Sequence, residues 1–291
     1  MVELNCKSLS SSIYDCLKEK TQKFVEKGNR APGLAVVTVG DDDASHLYVK
    51  TKTEKAVLLG YVSFQYFLNE DSREDDVISL INKLNENDKV DGILLQLPLP
   101  PHLNEKRIIE HIRPDKDVDG FTSANIGAMV KGEECFIPCT PKGILTILSH
   151  FNVSTIGKRV TVIGRSDIVG KPLAILLMGK GYDATVTVAN SKTKDLKALT
   201  LTSDIVISAV GKPLFLDSDY FSDRTVIIDV GINRIKDETR KRGWRTVGDV
   251  DRDSLKERDV MITPVPGGVG LMTVASLMEN TFISRERRGW M

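Results

Sequence analysis

Residues 159–177 read Arg-Val-Thr-Val-Ile-Gly-Arg-Ser-Asp-Ile-Val-Gly-Lys-Pro-Leu-Ala-Ile-Leu-Leu, a β-branched run that breaks at Gly164, passes Gly170 and then turns helical. A strand feeding a glycine-bearing loop into a helix start offers backbone N–H groups and a positive dipole end to an anion, as where nucleotide phosphates sit in open α/β sheets. Five residues separate the two glycines, so the spacing is not G-x-G-x-x-G. The pair alone serves tight strand-to-helix packing as readily as phosphate binding.

Working outward, further short apolar strands follow at Ala184–Val188, Ile205–Ser208, Val226–Asp229 and Met261–Thr263. Upstream, a helix from Ser8 to Glu26 precedes strand-like Gly33–Val39, a helix from Ser45 to Leu59 and strand-like Val62–Leu68. A charged helix through Val77, Leu80, Ile81 and Leu84 and a strand Gly92–Leu95 complete this half. Strand and helix repeating at this spacing indicate βαβ units and a mainly parallel sheet. Thr140–Phe151 is expected to be a linking helix, and Met272–Asn280 a final helix returning to the first lobe. The charged run Lys236–Arg245 reads as a solvated turn or loop.

The length of 291 residues accommodates two α/β lobes with a cleft between them. Lysine plus arginine balance aspartate plus glutamate at 40 each, so no global field draws the chain to nucleic acid or an anionic membrane. The four cysteines lack the Cys/His company of a structural zinc site, the four histidines have no metal-like spacing, and no metal is expected. No apolar stretch approaches the roughly 20 residues of a membrane span, and the start shows neither a signal-peptide core nor an arginine-rich presequence. A cytoplasmic enzyme with reduced thiols and a small-molecule substrate fits this profile.

Several positions carry candidate chemistry. Tyr48 and Lys52 stand four apart on an expected helix, so a phenol and an amine share one face, although a helical lysine is ordinarily solvated. Short-chain dehydrogenases place such a pair after their glycine loop, whereas here it precedes the loop. Gln96 follows an apolar strand at the carboxyl end where open sheets bind ligands, and its amide serves equally to tie down the Leu97-Pro98 turn, whose bond can be cis. Asp119, in Asp117-Val-Asp-Gly-Phe, presents a carboxylate either to an Asx-type turn or to a ligand with two adjacent N–H groups, such as an aminopyrimidinone. Pro264-Val-Pro-Gly-Gly-Val-Gly270 is either a tight crossover or a ligand wall.

Taken in order, Tyr48-Val-Lys-Thr-Lys52, Gln96-Leu-Pro-Leu, Lys116-Asp-Val-Asp119-Gly-Phe-Thr, Pro138-Cys-Thr-Pro-Lys-Gly, Gly164-Arg-Ser-Asp-Ile-Val-Gly-Lys-Pro and Pro264-Val-Pro-Gly-Gly-Val-Gly resemble the bifunctional methylenetetrahydrofolate dehydrogenase/cyclohydrolase family nearly end to end. The resemblance implies an N-terminal α/β substrate domain, residues 1–145, with the C-terminal helix 271–291 packing back on it. It also implies a Rossmann-like parallel-sheet NAD(P)-binding domain over 146–270, and usually a homodimer through the second lobe.

The implied activity is oxidation of 5,10-methylenetetrahydrofolate to the methenyl cation, then hydrolysis to 10-formyltetrahydrofolate. By the same resemblance Lys52 is the base or water activator, its pKa lowered by burial beside the cationic substrate and by Lys50 and Lys55. Tyr48 packs on the pterin, Gln96 orients Lys52, Asp119 holds the amino-pyrimidine edge, and Pro266, Gly267 and Gly268 contact substrate. Gly164, Arg165, Ser166, Ile168, Val169, Gly170, Ser191 and Ile232 are the implied cofactor contacts. An NAD site usually carries a carboxylate after its second strand, but Val188-Ala-Asn-Ser-Lys-Thr has none, and Arg165 with Ser191 can face a 2′-phosphate, so NADP is expected.

Leu271 stands where the family usually has proline, Asn190 replaces a frequent histidine, and Val49-Lys50-Thr51 is more cationic than usual. The rival readings are a monofunctional NAD(P)-dependent dehydrogenase, a cleft dehydrogenase of the amino-acid or shikimate type, and a non-catalytic folate- or nucleotide-binding homologue. The shikimate type gives no reason for the Lys52, Gln96 and Asp119 set.

Overall fold

The computed structural model describes residues 1–41, 43–240 and 243–288, for 43–48 the backbone only. In chain order the elements are β1 (Val2–Glu3), α1 (Lys7–Glu26), β2 (Gly33–Val39), α2 (Asp43–Leu58), β3 (Val62–Leu68), α3 (Glu74–Glu86), β4 (Gly92–Leu95), α4 (Glu105–Ile109), α5 (Ser123–Lys131) and α6 (Cys139–His150). There follow β5 (Arg159–Ile163), α7 (Gly170–Met178), β6 (Thr185–Ala189), α8 (Leu196–Leu201), β7 (Ile205–Ser208), β8 (Val226–Asp229), β9 (Asn233–Lys236), β10 (Trp244–Val247), β11 (Met261–Ile262) and α9 (Val269–Arg288). The chain divides into two compact units, one of Ser11–Cys139 with Val274–Met291, the other of Met1–Ser10 with Thr140–Thr273.

In the first unit β2 is the centre of a three-stranded parallel sheet ordered β3-β2-β4, with Gly33 opposite Val62 and Leu34 opposite Gly92. Every residue of β2 is buried, which explains its continuous apolar run: a parallel strand covered on both faces has no solvent side to alternate toward. Ala35, Val37, Val39, Ile93 and Leu95 pack with Val77, Ile81 and Leu84 of α3 and Ile108 of α4. The last residues before Asp119 lie alongside β4, through the Ile93–Asp117 bridge and Ile93 N–H donating to Lys116 O at 2.8 Å.

Lys116 is fully buried, and its Nζ donates to the carbonyls of Leu84 (3.0 Å), Asn85 (2.6 Å) and Asn87 (2.9 Å). Leu84 O and Asn87 O also accept backbone N–H groups, from Asn87 (3.3 Å) and Val90 (3.0 Å), so the ammonium gathers the end of α3 and the turn after it. Burial, helped by Arg288 and Arg113, pushes the Lys116 ammonium down to about 8. Lys116→Met is expected to cost on the order of 2–4 kcal/mol of stability, because it removes three charge-assisted hydrogen bonds from the interior. A denaturant midpoint unchanged from the parent would contradict this role.

The second unit is a six-stranded sheet ordered β1-β11-β8-β7-β5-β6, with every pairing parallel. Its core joins Ile163, Val206, Ile227 and Ile262 from the strands to Leu216, Phe221 and Leu255. The region read as a turn or loop over Lys236–Arg245 is instead flanked by an antiparallel ribbon, with Trp244 opposite Lys236 and Arg234 lying 4.4 Å over the Trp244 ring. Charged residues occupy the ribbon's exposed positions and mask its alternation.

The final helix runs well past both ends expected for it, and α4 and α5 have no counterpart in the sequence reading. For α5 the signals are local: Thr122 Oγ1 accepts from Asn125 N–H, and Gly132 closes the helix at φ +71°. Among the described residues no helix is long and apolar enough to cross a membrane.

Candidate active site

Lys52 projects from α2 into the first unit and is only 8% exposed. Its Nζ donates to Gln96 Oε1 at 2.9 Å. Gln96 extends β4 by one residue, its N–H donating to Val37 O at 2.8 Å, and its own Nε2 donates to Leu97 O at 2.8 Å. The side-chain amide is thereby held with its oxygen toward the lysine while it also braces the turn, whose Leu97-Pro98 bond is cis. Of the two roles weighed for Gln96, the structure shows the brace on the turn, joined to a hydrogen bond with Lys52.

The turn at Asp117–Gly120 separates two carboxylates by function. Asp117 accepts from Gly120 N–H (3.0 Å), Thr122 N–H (2.8 Å) and Asn125 Nδ2 (2.9 Å), so Asp117 shapes the loop. Gly120 sits at φ +75°, and a Cβ there would stand 2.5 Å from the Phe136 carbonyl oxygen. Asp119, relieved of turn duty, interacts with Lys52 and hydrogen-bonds the Cys139 thiol.

Loss of solvent lowers the Lys52 ammonium from its ordinary range, opposed by the charges of Asp119 and Cys139. Loss of solvent likewise raises the Asp119 carboxyl, opposed by Lys52 and the Cys139 hydrogen bond. The neighbouring lysines do not contribute as expected: Lys50 is exposed and pairs with Glu54 at 4.0 Å, and the Lys55 ammonium stands 4.9 Å from the Tyr14 ring centroid. Burial, not cationic crowding, depresses Lys52. Burial favours the neutral form of this amine relative to a solvated lysine, and in that form, still donating to Gln96, it can accept a proton from water as a general base does.

Sequence reading passed over two further members of this cluster. Cys139 Sγ lies 3.3 Å from Val118 O, and Asn280 of α9 donates to Val118 O (2.9 Å), Ile137 O (3.2 Å) and Cys139 Sγ (3.7 Å). Asn280 thus ties the backbone at Val118 to that at Ile137 across more than 140 residues of sequence, a relation no local pattern carries. Tyr48 lies in α2 one turn before Lys52, and its side chain falls outside the described residues.

In the second unit Gly164 closes β5 at φ +124°, and a Cβ there would stand 2.4 Å from Ala209 O. A Cβ on Gly170 would stand 2.2 Å from Gly164 O, so both glycines permit the loop to fold tightly on itself. The start of α7 does not present its own donors as the sequence suggested. Ser166 Oγ accepts from Val169 and Gly170 N–H at 3.2 and 3.3 Å, Ser166 O accepts from Lys171 N–H at 3.1 Å, and Pro172 has none to offer.

Arg165, Ser191 and Lys192 are exposed on the carboxyl ends of the adjacent strands β5 and β6, and Ile168 and Val169 are half-buried in the loop between Gly164 and Gly170. Asn190 is half-buried and shapes the turn after β6, its backbone N–H donating to Thr193 Oγ1 at 2.8 Å and its side-chain Oδ1 accepting from Lys192 N–H at 3.0 Å. With no acid after β6 and cationic and hydroxyl groups exposed there, this donor set fits a dinucleotide bearing a 2′-phosphate. Ile232 is 49% exposed just beyond β8, and its Cδ1 would meet a Cβ on Gly270 at 3.4 Å.

The Pro264–Gly270 segment, also in the second unit, contains a cis Val265-Pro266 bond and Gly267 at φ +113°. Gly267 O accepts from Cys6 N–H at 3.1 Å, and a Cβ on Gly268 would stand 2.6 Å from Pro264 O. Leu271 N–H donates to Gly268 O at 3.1 Å in the first turn of α9.

Comparison with known proteins agrees with this two-part construction. Residues 4–119 match the tetrahydrofolate dehydrogenase/cyclohydrolase catalytic domain, and residues 138–289 match the NAD(P)-binding domain of the same family. The chain is 46% identical to a bifunctional protein FolD of Agathobacter rectalis, covering 97% of this chain and 98% of that one. The crystal structure of the bifunctional FolD of Campylobacter jejuni superposes with a TM-score of 0.92 at 44% identity, covering 99% of each chain. A Trypanosoma brucei FolD complexed with NADP cofactor and inhibitor gives a TM-score of 0.95 at 34% identity, covering 100% of this chain and 99% of that one. The chain belongs to the tetrahydrofolate dehydrogenase/cyclohydrolase family and is a bifunctional enzyme of that family, built from a catalytic and an NAD(P)-binding domain.

Proposed function

We propose that the protein oxidises 5,10-methylenetetrahydrofolate with NADP and hydrolyses the resulting methenyl compound to 10-formyltetrahydrofolate, with Lys52 as the base of the second step. The observation that carries this reading is the buried Lys52 held on Gln96 at 2.9 Å, with its ammonium lowered by loss of solvent. The folate-binding part is assigned to the unit of Ser11–Cys139 with Val274–Met291, and the cofactor part to the unit of Met1–Ser10 with Thr140–Thr273, since β1 completes the six-stranded sheet.

NADP, held by Arg165, Ser191, Ile232 and the Gly164–Gly170 loop, would supply the acceptor for the hydride of the methylene carbon. The flanking folate nitrogens stabilise the cation left behind, so the protein's task in that step is positioning. Asp119 holds the amino-pyrimidine edge and Tyr48 packs on the pterin. In the second step neutral Lys52 takes a proton from water as its oxygen bonds to the methenyl carbon. The carbon–N5 bond then breaks as the Lys52 ammonium gives its proton to N5 and the hydroxyl proton of the adduct leaves to solvent water, so a formyl C=O stands on N10 and one proton is released overall. Gln96 fixes the amine throughout. Pro266, Gly267 and Gly268 contact substrate, and Ile232 and the Gly164–Gly170 loop contact the nucleotide.

NADP is assigned over NAD because Arg165 and Ser191 meet the 2′-phosphate where an NAD site would carry an acid. Parallel titrations test this: NADP is expected to bind at least about tenfold tighter than NAD, as one charge-assisted phosphate contact implies, and tighter binding of NAD would refute it.

The protein acts in the cytoplasm as a homodimer. Cys6, Cys16, Cys135 and Cys139 form no disulfide, which suits a reducing compartment. The outer strand β6 of the second unit's sheet, with exposed Val188 on it and exposed Met178 and Tyr182 just before it, supports pairing there with a second copy.

A further inference from the structure

Asp249 lies beyond β10 and is completely buried. Its Oδ2 accepts from Ser208 Oγ (3.1 Å), Val210 N–H (2.8 Å) and Gly211 N–H (3.3 Å), and its Oδ1 from Lys212 N–H (3.0 Å) and Asn233 Nδ2 (3.0 Å). Three successive backbone N–H groups turned onto one carboxylate form a concave nest of the kind that binds anions, here filled by the protein's own side chain.

The filled nest fixes two surfaces. One is the turn after β7, whose Ala209 carbonyl lies under Gly164 and whose Ala209 N–H donates to Ile163 O at 2.8 Å. The other is the residue after Ile232, since Asn233 is anchored on Asp249 while Gly231 N–H is anchored on Asp229 Oδ1 at 3.0 Å. Asp229 also accepts from Asp249 N–H (2.9 Å) and Val250 N–H (3.0 Å), which seats the whole segment against the end of β8. Gly248 and Gly231 are obligatory there, because a Cβ on either would stand 1.8 Å from Asp229 Oδ2 or 2.2 Å from Asp249 Oδ1 respectively.

We infer that Asp249 is a positioning residue for the nucleotide, holding the turn beneath Gly164 and the Ile232 segment in the arrangement that receives it. The inference rests on the proposed assignment of the cofactor to the Gly164–Gly170 loop after β5 and to Ile232 beyond β8. A carboxylate whose task was only to complete the sheet would affect all ligands and stability alike. One that shapes the nucleotide surface moves nucleotide affinity selectively.

The test is titration of NADP into the full-length protein and its Asp249→Asn and Asn233→Ala variants, with the KM for NADP and for 5,10-methylenetetrahydrofolate measured on the same preparations. Asp249→Asn is expected to weaken NADP binding by at least about tenfold and Asn233→Ala by about threefold, with the folate KM staying at the parental value. Hydrolysis of the methenyl substrate, which uses no nucleotide, reports that each variant is folded. Should Asp249→Asn fail to fold, Asn233→Ala decides, since it leaves the carboxylate and four of its donors in place. Parental NADP affinity in the variants, or equal rises in both KM values, overturns the inference. Failure of the parent protein itself to bind NADP overturns the cofactor-site assignment instead.

Discussion

Lys52→Met is expected to lower the hydrolysis of methenyltetrahydrofolate by about 10²–10⁴-fold while leaving hydride transfer measurable, because a positioned base contributes about that much to proton transfer and the oxidation step requires none. Methionine keeps the length and apolar stem of lysine, so the interior of α2 stays filled and the loss reports the amine. The hydrogen bond to Gln96 goes with it, leaving the amide oxygen without its lysine partner. The check is stopped-flow hydrolysis alongside nicotinamide reduction for the same preparation. A variant with full hydrolytic rate would remove Lys52 from the chemistry.

Asp119→Asn is expected to act on two observables in directions that can be told apart. The carboxylate matches two adjacent N–H groups of an aminopyrimidinone, so its loss should raise the folate KM by about 10- to 100-fold, the range for a buried charge-assisted hydrogen bond. Its negative charge also opposes the lowering of Lys52. Removing that charge disfavours the ammonium further, so the Lys52 pKa falls. Hydrolysis depends on the neutral amine and therefore rises with pH through that pKa, and in the variant the rising limb moves to lower pH. An unchanged KM would release Asp119 from the pterin, and a limb displaced upward would contradict its coupling to Lys52.

The strands were the most legible part of the fold, and for a physical reason. β2, β3, β4, β7 and β8 are β-branched or aromatic runs bounded by turn residues, and their limits in sequence and structure coincide. Short elements whose stability comes from caps or pairing were not legible: α5 is held by Thr122 and Gly132, and the β9–β10 ribbon is disguised by its charges.

At the site, Lys52, Gln96 and Asp119 could be proposed because each sits at an informative place along the chain. Asn280 and Asp249 could not, since what they do depends on partners brought together by the fold. The cause given for the Lys52 shift was also wrong in detail. Proximity in sequence placed Lys50 and Lys55 beside it, but helical geometry turns Lys50 to solvent and lays Lys55 over Tyr14. At the start of α7 the glycine spacing gave no sign that Ser166 Oγ would accept from Val169 and Gly170 N–H.

The central claim is that one chain performs both steps. It is tested most directly by incubating the purified protein with 5,10-methylenetetrahydrofolate and NADP, following nicotinamide reduction while methenyl and 10-formyl products are separated over time. The account predicts reduced nicotinamide together with 10-formyltetrahydrofolate formed faster than the methenyl compound decays without enzyme. Reduced nicotinamide with methenyl decay at the enzyme-independent rate, or no turnover at all, would contradict it.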